Sequence, residues 1–218
     1  MSKELIEFSD EQKLIIKNQF FPQSATKEEM IYCMNIAKNM GLNPITKEIF
    51  FVPRKSKVGN QWIEKIEPML GRDSYIKVAH STGQFSGMET TSSISTVPKI
   101  ENGEWCEKSD LIATCKVWRK DTDKPFVVTV AYSEYVQLKA DNTPNKFWQE
   151  KPDTMLKKVA ESQALRKAFS INGAYSIEEV NDVEIEEPRA KTQQIVKQDD
   201  PLDANVIPEI DLNEVPNN

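Results

Sequence analysis

The sequence holds few of the residues on which metal and covalent catalysis depend. Its 218 residues include one histidine and three cysteines. No two cysteines have C-x-x-C spacing, which excludes a disulfide framework and most zinc sites. The glycine motifs of P-loop and dinucleotide-binding proteins are missing. No run approaches the about 18 apolar residues of a transmembrane helix, and the N-terminus lacks the apolar segment of a secretory signal. We therefore expect a reducing, cytoplasmic environment, no membrane partner and no cofactor.

Acidic residues outnumber basic ones, but the two signs are unevenly distributed along the chain. Residues 1–175 hold 25 of the 28 Lys and Arg residues and 22 of the 34 Asp and Glu residues, whereas residues 176–218 hold 3 and 12. A mildly basic body followed by an acidic tail is a charge asymmetry found in nucleic-acid-binding proteins. The tail can equally serve only to keep the protein in solution.

Composition divides the chain into two parts. Residues 1–185 carry the periodic apolar pattern of a folded core, whereas Pro, Asp, Glu, Asn and Gln predominate after about residue 186. Such a segment cannot bury enough apolar surface to offset its chain entropy, so residues 186–218 are predicted to form a disordered acidic tail. Apolar residues spaced among its acidic ones leave two alternatives, a short partner-docking motif or a passive tail.

Apolar periodicity predicts four helices and five strands. Helices are expected over about residues 9–20, 26–41, 72–80 and 153–169; capping boxes begin the first two, and Gly41 suits the end of the second. Strands are expected over residues 48–53, 62–70, 85–97, 111–120 and 126–132, and Asn102-Gly103 marks a turn after the third. Alternation in the fourth strand places Leu111, Ala113, Cys115 and Val117 together on its apolar face. The basic connector over residues 54–61 predicts an exposed hairpin loop. Together these elements predict an α+β fold with a small antiparallel sheet packed by helices.

Three aspartates supply the candidate catalytic group. Asp110, Asp121 and Asp123 lie close in sequence, and paired carboxylates can bind Mg²⁺, so a metal-dependent nuclease is an alternative function. Two of them fall in a predicted turn, where aspartate is common for backbone reasons. No second histidine or activated nucleophile accompanies them. We therefore predict no catalytic residues, no metal site and no enzymatic activity.

Cations and aromatic side chains alternate in three segments, which is the composition needed to hold the phosphates and bases of a single strand. The candidate DNA-binding residues are Lys116 and Lys120 around Trp118, Lys146 and its neighbour Trp148, and Lys157, Lys158, Gln163 and Arg166 on the last helix. The basic connector adds Lys55 and Lys57. Structural alternatives stay open for two of these residues, since Glu161 can pair with Arg166 and Trp148 can be a core residue.

Four co-linear blocks resemble the Bet family of phage single-strand annealing recombinases, within the RecT superfamily. They are a G-L-N-P-x-T-K-E-I-[YF] signature at residues 41–50, G-x-D-G-[YW] with Q-F-x-G-M at 71–75 and 84–88, an aromatic-R-K-D strand end at 118–121, and a W-Q…R-x-A-F segment at 148–169. Ser74 replaces the second glycine of the second block. The resemblance spans about residues 25–185.

The resemblance implies ATP-independent binding of single-stranded DNA and annealing of complementary strands in homologous recombination, in the cytoplasm of a bacterial host. It implies a homo-oligomer, a ring or helical filament, in which the single strand and the annealed duplex lie along a basic groove of the core over residues 1–185. By motif match, Lys47, Lys120, Gln163 and Arg166 are expected to contact DNA in that groove, and Lys157 matches a family arginine.

The sequence departs from the family pattern at three basic positions. Asp153, Thr154 and Val159 stand there, so the groove is expected to use nearby cations instead, such as Lys146, Lys151 and Lys158. Family members often have a further C-terminal domain that recruits an exonuclease and the host single-strand binding protein. Here the acidic tail stands in that place, which leaves recruitment of those partners to a short motif. A protein-interaction adaptor acting through the tail is the second alternative function.

Overall fold

The computed structural model describes residues 6–58 and 61–179, and it describes their side chains except those of residues 56–58 and 62. Its helices are α1 Asp10–Gln19, α2 Lys27–Met40, α3 Arg72–Ser81, α4 Tyr132–Tyr135, α5 Lys146–Glu150 and α6 Pro152–Phe169. Its strands are β1 Phe50–Val58, β2 Gln61–Leu70, β3 Phe85–Glu101, β4 Glu104–Arg119, β5 Phe126–Ala131 and β6 Tyr175–Ser176, and a 3₁₀ helix follows at Ile177–Glu179. The predicted tail over residues 186–218 and the core boundary at residue 185 lie outside the described residues.

Local sequence signals begin and end the first two helices as expected. The hydroxyls of Ser9 and Thr26 accept hydrogen bonds from the third backbone N–H of α1 and α2, and both capping boxes are complete. These bonds satisfy donors that have no partner within the helix. Gly41 ends α2 with a φ of 70°, a left-handed conformation that a residue without Cβ adopts without strain.

The predicted α+β class is confirmed, and the strands are divided between two three-stranded sheets. In the first sheet β1 and β2 are antiparallel, and β6 joins β2 in parallel through the pairs Met69–Tyr175 and Leu70–Ser176. The strand β6 was not predicted because two residues are too few to show an alternating pattern. Its pairing brings the C-terminal end of the described chain onto the first sheet.

The connector between the first two strands is not the predicted basic loop. Strand β1 continues to Val58 and β2 begins at Gln61, so the prediction of a loop over residues 54–61 is wrong. Arg54 pairs with Lys65 and Lys55 with Glu64 in the antiparallel ladder. Backbone hydrogen bonds therefore extend the hairpin through a polar segment that apolar alternation does not mark.

The second sheet is antiparallel, with the order β3-β4-β5, and is dominated by a long hairpin. Strands β3 and β4 pair from Phe85–Arg119 to Glu101–Glu104. Asn102 and Gly103 turn the chain with φ angles of 50° and 84°, as in a type I′ turn. The strand predicted over residues 85–97 thus continues to the predicted Asn-Gly turn.

Helix α6 occupies the centre of the core, between the second sheet and α3. Its apolar side chains are buried against Ala113, Cys115 and Val117 of β4, all of which are 0% exposed, so the inward face predicted for that strand is confirmed. The helix ends at Phe169, as predicted, with Ser170 in the left-handed region. Among the described residues no helix is both long and apolar enough to cross a membrane.

Candidate nucleic-acid interface

A polar cleft of about 660 Å³ opens beside the C-terminal half of α6. It lies where α6, strand β5, helix α2 and strand β6 meet. The residues that line it are Tyr32, Val128, Gln163, Arg166, Lys167, Ile171, Asn172, Gly173, Ala174 and Tyr175. Two cations, two side-chain amides and two tyrosines thus face one space, which combines phosphate binding with stacking surfaces.

Arg166 is one of the two cations that line this cleft. Its Nη2 lies 2.9 Å from Oε2 of Glu179, which belongs to the 3₁₀ helix, and its side chain is 27% exposed. The alternative pairing with Glu161 is wrong, because Glu161 binds Arg72 of α3 at 3.0 Å. Arg166 is therefore held at the cleft by a carboxylate from the end of the described chain.

Gln163 lines the same cleft, three residues before Arg166 on α6. Its Nε2 donates a hydrogen bond to the hydroxyl of Tyr135 at 2.8 Å. This bond uses one amide proton and leaves the amide oxygen able to accept a hydrogen bond from a ligand. The structure thus brings together two of the residues predicted on the last helix.

Two tyrosines that the sequence analysis missed form the walls of the cleft. Tyr32 of α2 and Tyr175 of β6 are 51% and 53% exposed. The guanidinium of Arg54 lies 5.3 Å from the centroid of the Tyr175 ring, and Arg54 also binds Glu67 at 3.0 Å. Half-exposed rings of this kind offer stacking surfaces to bases. No local pattern marked them, because they come from elements far apart in sequence.

Trp148 is a core residue. Its ring is 0% exposed and lies edge-on to Tyr132, with the ring centroids 5.6 Å apart. From this position it cannot stack on a base, contrary to its prediction as a DNA-binding residue. The neighbouring Phe147 is 64% exposed instead. The sequence could not distinguish the two, because α5 has only five residues and too few turns to show a periodic apolar face.

The predicted lysines of the second sheet lie on a different surface from the cleft. Lys116 is exposed on the face of β4 that points away from α6, and its Nζ lies 3.9 Å from Glu89. Lys120 follows β4, is exposed, and donates a hydrogen bond from Nζ to the carbonyl of Gly83 at 3.0 Å. Neither lines the cleft.

The remaining predicted lysines are spread over several surfaces. Lys47 is exposed in the turn before β1, Lys55 is exposed on β1, and Lys146 is exposed at the start of α5. Lys57 belongs to β1, but its side chain lies outside the described residues. None of the three described lysines lines the cleft. Their part in binding DNA stays a prediction.

The first turns of α6 carry a local charge network. Lys157 binds Asp153 at 2.8 Å, and Asp153 also accepts a hydrogen bond from the hydroxyl of Ser92. Hydrogen bonds from Lys157 and from the Ser92 hydroxyl together lower the pKa of the Asp153 carboxyl below its usual range. Lys158 is half-buried on the same helix. Asp153, one of the departures from the family pattern, thus anchors α6 to β3 and neutralises Lys157.

These positions can be compared with known proteins. A sequence model of the RecT family matches residues 7–192, which is most of the chain. The chain belongs to the RecT family. It is 28% identical over 176 residues to "Recombination protein bet" of Escherichia phage lambda. The match covers 78% of this chain and 59% of that protein, so the chain spans less than two thirds of its relative's length.

The signature block of this RecT-family chain builds a turn rather than the cleft. Asn43 donates its backbone N–H to Glu48 at 2.8 Å and accepts a hydrogen bond from Ile45 N at 2.9 Å on its side-chain oxygen. Glu48 also binds Lys77 of α3 at 2.6 Å. Lys47 sits at the tip of this turn with a φ of 59°. The block therefore joins α2, β1 and α3 and presents one exposed lysine.

The three aspartates of the nuclease alternative do not meet in the RecT-family fold. Asp110 lies in β4 and forms a salt bridge of 3.1 Å with Lys99 of β3. Asp121 lies beyond the C-terminal end of β4 and forms a salt bridge with Arg119, the last residue of that strand. The nine residue steps along the strand from Asp110 to Arg119 span roughly 30 Å. Within residues 6–58 and 61–179, no group of three or more His, Cys, Asp and Glu residues could hold a metal ion. The geometry thus argues against an aspartate metal centre in this part of the chain.

Proposed function

We propose that this RecT-family protein binds single-stranded DNA in the cleft beside α6 and anneals complementary strands without ATP, in homologous recombination. Membership of the family supports the activity. The single structural observation that carries the assignment to the cleft is the convergence there of Arg166, Gln163 and Lys167 with the exposed rings of Tyr32 and Tyr175. Three elements of the chain supply these groups, so the cleft forms only in the complete fold.

The proposed mechanism needs no covalent chemistry. Arg166 and Lys167 neutralise backbone phosphates, which lowers the repulsion between two DNA strands brought together. Gln163 supplies a hydrogen-bond acceptor and Tyr175 a flat surface on which a base stacks. Bases outside the cleft remain free to pair, so Watson–Crick pairing supplies both the specificity and the free energy of annealing. The protein therefore acts on the rate of pairing and leaves the strands intact.

Assembly into a homo-oligomer is part of the proposal. A single cleft has a low affinity for DNA, whereas a row of clefts that bind the same strand has a much higher combined affinity. The long hairpin supplies a surface for this. Ile100 and Trp105 are partners across β3 and β4 and are 61% and 74% exposed, and Ile94 on the same face is 78% exposed. Nearer the start of β3, the same face of the sheet is covered by α6. There the Ser92 hydroxyl donates a hydrogen bond to Asp153, at the start of α6. Large apolar side chains left uncovered beyond the helix are suited to pack against a second copy.

Replacing both Ile100 and Trp105 by lysine is expected to abolish assembly. Each apolar anchor in such an interface contributes roughly 2 kcal/mol, so losing both raises the concentration needed for assembly by about a thousandfold. Light scattering after size-exclusion chromatography, with and without oligothymidylate, measures the mass. The matched control replaces Ser93 and Ser95, exposed on the other face of β3, by lysine and should assemble normally. Wild-type assembly by the Ile100→Lys, Trp105→Lys variant would exclude this face.

The domain roles follow from the same proposal. Residues 1–185 are proposed as the DNA-binding, annealing and oligomerisation core, and residues 186–218 as an acidic tail that is available to partners. A phage exonuclease and the host single-strand binding protein are proposed partners of that tail, in the cytoplasm of the bacterial host. Deletion of residues 186–218 should then leave annealing by the purified protein intact and remove co-purification of the exonuclease.

The deciding experiment mixes the purified protein with two complementary, fluorescently labelled oligonucleotides, without nucleotide, across a salt series. Energy transfer reports pairing, and a denaturing gel reports strand length. Faster pairing of intact strands that weakens with salt supports the proposal, since phosphate contacts are salt-dependent. Shortened strands in the presence of Mg²⁺ would favour the nuclease alternative. No effect on pairing, with no DNA bound, would favour the adaptor.

A further inference from the structure

Arg166, one of the two cations that line the cleft, is already paired with a carboxylate of the same chain. Nη2 of Arg166 lies 2.9 Å from Oε2 of Glu179, whose side chain is 12% exposed. The second carboxylate oxygen of Glu179, Oε1, is buried and has no hydrogen-bond partner within the described residues. A buried acceptor without a donor destabilises the ionised carboxylate. The ion pair is therefore only half satisfied.

The surroundings of Glu179 contain few groups that stabilise its charge. Arg166 faces it from α6, the hydroxyl of Tyr75 faces it from α3, and Glu178 lies beside it in the 3₁₀ helix. The Tyr75 hydroxyl donates a hydrogen bond to the carbonyl of Ala174 at 3.2 Å, and Glu178 accepts one from the Ser176 hydroxyl at 2.7 Å. Burial, with the nearby Glu178 charge, raises the pKa of Glu179 to about 6 in spite of Arg166.

A carboxylate and a phosphate present similar oxygens to a guanidinium and compete for the same N–H donors. We propose that Glu179 is an internal phosphate mimic, which occupies Arg166 in the empty cleft and is displaced from it by a DNA phosphate. This inference rests on the proposed binding of single-stranded DNA in the cleft. Glu179 thereby acts as a positioning residue that sets how tightly Arg166 holds the strand and how readily the strand is released.

The direction of the pH dependence follows from the raised pKa. Below about pH 6 Glu179 is protonated and loses its negative charge, so Arg166 is free to bind a phosphate. Above that pH the ionised carboxylate competes for Arg166 and the affinity for DNA falls. Binding of DNA should therefore be tighter on the acidic side, with uptake of a proton by Glu179 when the strand binds near pH 6.

The test measures the binding of fluorescent oligothymidylate by anisotropy at constant ionic strength, from about pH 5 to pH 8, where neither thymine nor the phosphodiester titrates. The Glu179→Gln variant keeps the shape of the side chain and removes its charge. It should bind roughly fivefold more tightly than the wild type at about pH 8 and should lose the step in affinity near pH 6. In an Arg166→Gln background the same change should give no gain. Glu11→Gln, an exposed glutamate on α1, is the charge-matched control.

Two results would overturn the inference while leaving the proposed function standing. Equal or weaker binding by Glu179→Gln than by the wild type at about pH 8 would mean that Glu179 only orients Arg166. A pH step that persists in Glu179→Gln would belong to another titratable group. If the wild type binds no DNA at any pH, the proposed function itself fails and the inference fails with it.

Discussion

Replacing Arg166 by glutamine is expected to weaken the binding of single-stranded DNA at least about tenfold and to slow annealing in proportion. The variant removes the guanidinium that faces the cleft, and with it the charge-assisted hydrogen bond to a phosphate that we propose for every subunit of the proposed oligomer. Anisotropy with oligothymidylate and the annealing assay measure the two effects. The slope of log affinity against log salt should also decrease, because fewer counterions are released.

Two further variants make this result interpretable. Lys17→Gln removes one positive charge from an exposed site on α1 and should change the affinity less than about twofold. Arg166→Gln leaves the buried Glu179 without its cation, and the double variant with Glu179→Gln removes that unpaired charge. The double variant should recover thermal stability and still bind DNA poorly. Wild-type annealing by Arg166→Gln would place the strand outside this cleft.

Replacing Trp148 by alanine is expected to lower the free energy of unfolding by about 4 kcal/mol. The ring is 0% exposed and packs edge-on against Tyr132, so its removal leaves a cavity at the contact of α5 with α6. Urea unfolding followed by circular dichroism measures the loss. Phe147→Ala is the matched control, because that ring is 64% exposed and its loss should cost less than about 1 kcal/mol.

The same pair of variants separates two roles for the aromatic segment. A stable Trp148→Ala protein that binds DNA weakly would return Trp148 to the interface, as the sequence had suggested. The opposite outcome is that Trp148→Ala is unstable, whereas Phe147→Ala is stable but binds DNA more weakly. That outcome would assign base stacking to Phe147 and core packing to Trp148. The exposed Lys146 next to Phe147 could then contribute a phosphate contact.

Signals confined to a few neighbouring residues predicted the fold well. The capping boxes at Ser9 and Thr26, the left-handed Gly41 and the Asn102-Gly103 turn each depend on local backbone chemistry and are all confirmed. The basic segment after Pro53 was misread as a loop, because hydrogen bonds to β2 outweigh its polar composition. Strand β6 was missed because its partner lies far away in the sequence.

The candidate site was predicted only in part, for a similar reason. Gln163 and Arg166 lie on one helix, so helical spacing and the family resemblance were enough to select them. Tyr32 and Tyr175 join them only through the tertiary fold, and no spacing along the chain connects these residues. The partner of Arg166 was also beyond prediction, since Glu161 is close in sequence whereas Glu179 reaches Arg166 only after the chain turns back past Gly173.

Strand β6 also determines when the cleft can exist during synthesis. It pairs with β2 across a sequence separation of about a hundred residues, and it carries the Tyr175 wall and leads to Glu179. A nascent chain on the ribosome therefore has the β1–β2 hairpin, the second sheet and α6 before it has a cleft. Until the last of these residues emerges, Arg166 has neither its carboxylate nor its aromatic neighbour. If the cleft binds nucleic acid as proposed, the unfinished protein has no assembled site with which to capture it, including the messenger RNA from which it is being made.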